Sequence, residues 1–151
     1  MSAEQFFDQL LALTAVLQED QERELGALGL TGPRTHVMWI VHHSGPSMQR
    51  DIAAEMGVSP RHVTTLVDEL VADGLARRAP HPDDRRAVLI SLTEYGTSLM
   101  EKMALDHAQL ADALVDGLSP ADVDTLRHGI AQVTERLQAL IEQARSEEGA
   151  A

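Results

Sequence analysis

The tightest constraint on this chain lies at Gly57-Val58-Ser59-Pro60. Gly57 supplies a left-handed turn at little steric cost. Ser59 is a helix-capping residue, and Pro60 fits a first helical position. Upstream, Met48 to Glu55 or Met56 reads as a short helix capped by Ser47, with Ile52, Ala53 and Met56 inward. Downstream, Val63, Leu66, Val67 and Leu70 recur at helical spacing until Asp73-Gly74 stops the run. One short helix must therefore pass into a second through a tight turn. That is a helix-turn-helix unit.

The segment C-terminal to the pair narrows its use. Leu75–Ala79 is short enough for a strand, Pro80–Asp84 is a turn, and Ala87–Leu92 is rich in branched residues and reads as the returning strand. Arg77 and Arg78 precede the turn, and Arg85 and Arg86 come after it. In a helix-turn-helix the second helix enters the major groove by its N-terminal residues. Here these are Ser59, Arg61, His62, Thr64 and Thr65. Arg61 can donate two bonds to guanine, and the hydroxyls can take phosphate or base contacts. Asp68 and Glu69 lie farther along, where the helix would leave the groove. A narrow minor groove attracts inserted arginine, and Asp84 is placed to hold the Arg86 guanidinium. Either feature alone is weak, since helix pairs joined by Gly are common and most Arg-rich turns are solvated. Their adjacency and order carry the inference to duplex DNA.

Charge at first opposes it. The formal net charge is −12, which disfavours a nucleic-acid partner. The distribution is uneven. Residues 1–49 hold two Arg against six acids, and residues 94–151 hold four basic residues against eleven acids. Residues 50–93 hold six Arg against seven acids. Any DNA contact must be focused on that middle segment.

The flanks are helical. Ser2 to about Gly26 carries Phe6, Leu10, Leu13 and Leu17 in one stripe, widened by Phe7, Leu11 and Leu25. Thr31 and Pro33 start a second helix that runs to Ser44-Gly45-Pro46. Thr93 caps a long helix over about Glu94–Asp116. Ser119-Pro120 opens the last one, which runs to about Ala144 with Val123, Leu126, Ile130, Val133, Leu137, Leu140 and Ile141 in a stripe. Residues 146–151 read as a disordered tail. The expected fold is mainly α with a small β-hairpin: a winged helix-turn-helix lobe over 30–93, and a helical dimerisation region from 1–29 and 94–145. The acidic N-terminus and the absence of a long apolar run predict a soluble, cytoplasmic protein without a membrane partner. With no Cys, disulfides and thiolate metal sites are excluded.

The segments Ala53–Ser59, Val63–Leu70, Gly74-Leu75 with Arg77-Arg78, and above all His81–Thr93 resemble the MarR family of bacterial transcriptional regulators. The last fits the pattern Asp-x-Arg-x-x-x-Leu-x-Leu-Thr through Asp84, Arg86, Ile90, Leu92 and Thr93, with Ile for the first Leu. Leu30-Thr31 fits as well. The resemblance implies a winged-helix homodimer in which the first and the last two helices interlock with the partner's, giving the apolar stripes a destination. It implies double-stranded DNA as partner, a pseudo-palindromic operator, and repression relieved by a small aromatic or anionic effector. Arg61, His62 and Thr65 would then face bases, and Gln49, Ser59 and Thr64 would lie near phosphates. Arg86 would reach the minor groove with Asp84 orienting it, and Arg77, Arg78 and Arg85 would add charge.

The effector region implied by the resemblance lies beside the second helix, which offers His36, Trp39, His42 and His43. The lone Trp is as well explained by packing among Val37, Met38 and Ile40. His42, His43, His107 and Glu24 lack metal-ligand spacing, so neither metal nor other cofactor is expected. No dinucleotide fingerprint, P-loop or nucleophile elbow is present, which argues against an enzyme. The competing reading is a winged-helix module used for protein–protein contact. Such a module would have no need of the wing arginines.

Overall fold

The computed structural model describes residues 2–84 and 87–149. In chain order these form α1 (Ala3–Ala27), α2 (Gly32–Ser44), β1 (Ser47–Met48), α3 (Gln49–Met56), α4 (Pro60–Ala72), β2 (Ala76–Pro80), β3 (Val88–Leu92), α5 (Glu94–Val115) and α6 (Pro120–Gly149). The described residues divide into two compact units, with the boundary between Ala104 and Leu105.

The first unit holds the winged helix. Its largest fully buried side chains include Met38 of α2, Ile52 of α3, Leu70 of α4, Ile90 of β3 and Met100 of α5, so each of these elements places at least one side chain in a common core. β3 is the middle strand, with β1 and β2 antiparallel on either side. Ile90 therefore faces the core from the one strand with no free edge.

Two expectations change here, the Ser47 cap and the tail, and the expected hairpin gains a strand. Ser47 does not cap α3. It lies in β1 opposite Ile90, its hydroxyl donates to the Gly45 carbonyl oxygen, and Met48 takes the cap position without a side-chain bond. The hairpin is accordingly a three-stranded sheet, because the residues leading into α3 add a short third strand that no alternating pattern could announce. In the second unit α6 continues to Gly149, so residues 146–149 are helical rather than tail. Glu147 and Glu148 are good helix formers, and Gln143 and Ser146 bond within the helix, to the Glu147 carboxylate and the Glu142 carbonyl oxygen.

A close approach fixes the start of α5. The Thr93 hydroxyl donates to the Gly74 carbonyl oxygen at 2.6 Å and accepts the Gly96 N–H at 3.0 Å. The Thr93 N–H donates to the Leu75 carbonyl oxygen. A Cβ on Gly96 would stand 2.1 Å from that same oxygen, so only glycine permits this contact.

No described helix is long and apolar enough to cross a membrane. The apolar stripes remain open: Phe7, Leu13 and Val16 on α1, and Leu126, Ile130, Leu137 and Leu140 on α6, are all at least half exposed.

Candidate nucleic-acid interface

The helix-turn-helix is built as its residues dictate. Gly57 ends α3 with φ +67°, and its N–H returns to the Ala53 and Ala54 carbonyl oxygens. Ser59 caps α4 by accepting the His62 N–H at 3.2 Å, and Pro60 is the first helical residue. α4 then turns Val63, Leu66, Val67 and Leu70 into the core. Those four anchors leave Arg61, His62, Thr64 and Thr65 exposed on the opposite face.

The far end of α4 is pinned. Arg34 of α2 is buried, donates to the Gly29 carbonyl oxygen at 3.0 Å, and is ion-paired with Asp73 at the α4 C-terminus. Glu69 lies 3.8 Å from its Nε. Sequence reasoning misses this tie, whose one signal is an arginine among the apolar positions of α2. Removing an acid from a buried guanidinium would leave a charge without compensation.

The other candidate residues fall into distinct settings. The Gln49 amide donates to the Thr64 hydroxyl at 3.2 Å, joining the first residue of α3 to α4. Arg77 donates through Nε to the Ser91 hydroxyl directly across the β2–β3 pair. Arg78 reaches from β2 to the Asp68 carboxylate on α4, at 2.6 Å. Asp84 is exposed in the β2–β3 turn. Arg85 and Arg86 lie outside the described residues, and with them the Asp84–Arg86 pair.

On α2 the rings of Trp39, His42 and His43 form one cluster. Trp39 lies 5.1 Å from His43 and 6.0 Å from His42, centre to centre, and a His43 ring nitrogen bonds the Trp39 carbonyl oxygen. Trp39 is half-buried against the core, whereas His36 is exposed and outside the cluster. An open cleft of about 310 Å³ lies elsewhere, lined by Ile40, Met48, Asp51, Glu55, His81 and Leu89 among others. None of the four expected ligand residues lines it.

The MarR family model matches residues 30–88, which run from just before α2 to the first residue of β3. The chain is also 32% identical over 127 residues to the HTH-type transcriptional regulator YhbI of Bacillus subtilis, spanning 84% of this chain and 82% of that one. The chain belongs to the MarR family. Among solved structures, Rv1404 of Mycobacterium tuberculosis matches with a TM-score of 0.76 at 26% identity, over 89% of this chain and 94% of that one. FabT of Streptococcus pneumoniae, solved in complex with DNA, shares the fold with a TM-score of 0.73 at 19% identity, over 91% and 96% of the two chains. As a MarR-family member the chain is a winged-helix, DNA-binding transcriptional regulator and not an enzyme.

Proposed function

We propose that this MarR-family regulator is a cytoplasmic repressor that binds a pseudo-palindromic operator as a homodimer, with the N-terminal half of α4 in the major groove. One observation carries the reading. Four apolar anchors bury one side of α4 and leave Arg61, His62, Thr64 and Thr65 on a continuous exposed face. The pinned C-terminus of α4 supports it, because a base-reading surface must be held rigidly. In this reading Arg61, His62 and Thr65 face bases. Gln49, Ser59 and Thr64 lie near phosphates, Asp84 orients Arg86 in the minor groove, and Arg77 and Arg85 stand at the wing.

Residues 1–29 and 94–145 form the dimerisation region, and residues 30–93 the DNA-binding lobe. The exposed apolar stripes of α1 and α6 favour this, since a soluble monomer rarely leaves such surface open. A second reading concerns release. The Trp39–His42–His43 cluster offers stacking surface and imidazole nitrogens to a small aromatic or anionic effector, and His36, about one helical turn before Trp39, is the fourth candidate contact.

Selection of bound duplexes from a random pool tests the function directly. A palindromic motif is expected, and no enrichment would sink the DNA reading in favour of a protein-contact module. On the selected operator, Arg61→Ala should cost roughly 1–3 kcal/mol per half-site and relax one base position in each. Arg86→Ala should weaken binding at physiological salt. Titration with phenols and aromatic acids that never shifts operator affinity would remove the effector.

A further inference from the structure

The geometry points to the Asp68–Arg78 pair as the brace that sets the wing against the recognition helix. It is a positioning device in which Arg78 contributes no net charge to DNA. The inference rests on the DNA-binding reading and revises one part of it, the expectation that Arg78 simply adds charge.

Asp68 lies two helical turns beyond Arg61, and one beyond Thr64 and Thr65, so it shares their face of α4. All four are exposed. Arg78 sits on β2 opposite Ile90 of the central strand, and its Nη2 donates to the Asp68 carboxylate at 2.6 Å. The contact joins two residues that are ten positions apart in sequence, on two elements that must meet the duplex together. Both partners keep some solvent exposure, 60% for Asp68 and 33% for Arg78. Such a pair contributes little to fold stability. Its effect is on geometry and local charge. A free arginine there would take any phosphate. A free aspartate there would repel every one. Together they cancel. Random-sequence DNA is bound through charge alone, whereas an operator needs helix and wing in register at once. The brace should therefore matter to the operator and not to random duplex.

The test measures binding of the full chain to its selected operator and to a random-sequence duplex by anisotropy, across about 50–200 mM salt. Circular dichroism confirms that each variant is folded. D68N should steepen the dependence of log K on log salt by about 0.9 for each subunit bound, about 1.8 for the homodimer, because Arg78 is released to phosphate. D68N/R78A restores local neutrality without the brace. It should keep the wild-type slope and random-duplex affinity, yet lower the operator-to-random ratio by roughly tenfold, within the range of one lost base-pair match. D68E/R78K retains an ion pair and should hold the ratio within about threefold of wild type. A D68N/R78A slope shallower by about 0.9 for each subunit bound would show Arg78 on phosphate and overturn the inference. So would an unchanged ratio. Failure of the wild-type chain to bind either duplex would instead overturn the DNA reading itself.

Discussion

At Gly96 a single missing methyl group decides how two elements meet. The Leu75 carbonyl oxygen is already held by the Thr93 N–H and stands where a Cβ would be, so the backbone itself would have to move. Gly96→Ala should therefore destabilise the fold by about 1–3 kcal/mol, the usual cost of overpacking, and lower the urea midpoint without changing the slope of the transition. Gly26 and Gly129, also helical, have nothing within reach of an added Cβ, so Ala at either should be tolerated. Ser59 makes the complementary case. Its hydroxyl satisfies the His62 N–H at the start of α4. Ser59→Ala should lose roughly 1 kcal/mol in thermal unfolding, through fraying at the end of the helix proposed to read bases.

Between elements, the legible signals are those that repeat or cap. Val63, Leu66, Val67 and Leu70 announce the buried side of α4, and Gly57 with Ser59-Pro60 announces the turn; the structure realises both. Periodicity is silent about polar contacts between elements distant in sequence. Arg34 with Asp73, and Arg78 with Asp68, need the fold before they can be found. Short edge pairing is equally hidden, which is why β1 emerges from what reads as the cap of α3. The arginines illustrate the limit. Composition counts four of them around the turn. Position shows Arg77 bonded across the sheet to Ser91 and Arg78 bonded to α4. Arg34 is a useful control here. Arg34→Met should cost about 1–3 kcal/mol, because the Gly29 carbonyl oxygen and the acids at the end of α4 lose a charged partner together, and operator affinity should fall with it.

For the whole molecule, charge and exposed apolar surface pull in opposite directions. A chain with a formal charge of −12 repels its own copies as well as DNA. In the proposed dimer, the open stripes on α1 and α6 would supply the attraction between copies. Placing acids in the α6 stripe, as in Leu126→Glu with Leu137→Glu, should yield a monomer by sedimentation and reduce operator affinity at least tenfold, since both half-sites would no longer be held at once. Raising salt should favour the dimer while weakening the DNA complex, a divergence that separates the two equilibria in one titration.

The lone tryptophan also gives each unit its own voice in a melting experiment. Trp39 is the chain's single indole and belongs to residues 1–104, so ultraviolet emission reports that unit alone. Backbone ellipticity sums the helices of both. The two curves superimpose only where the units melt as one cooperative body, and an earlier fall in ellipticity would mark residues 105–151 as the part that gives way first.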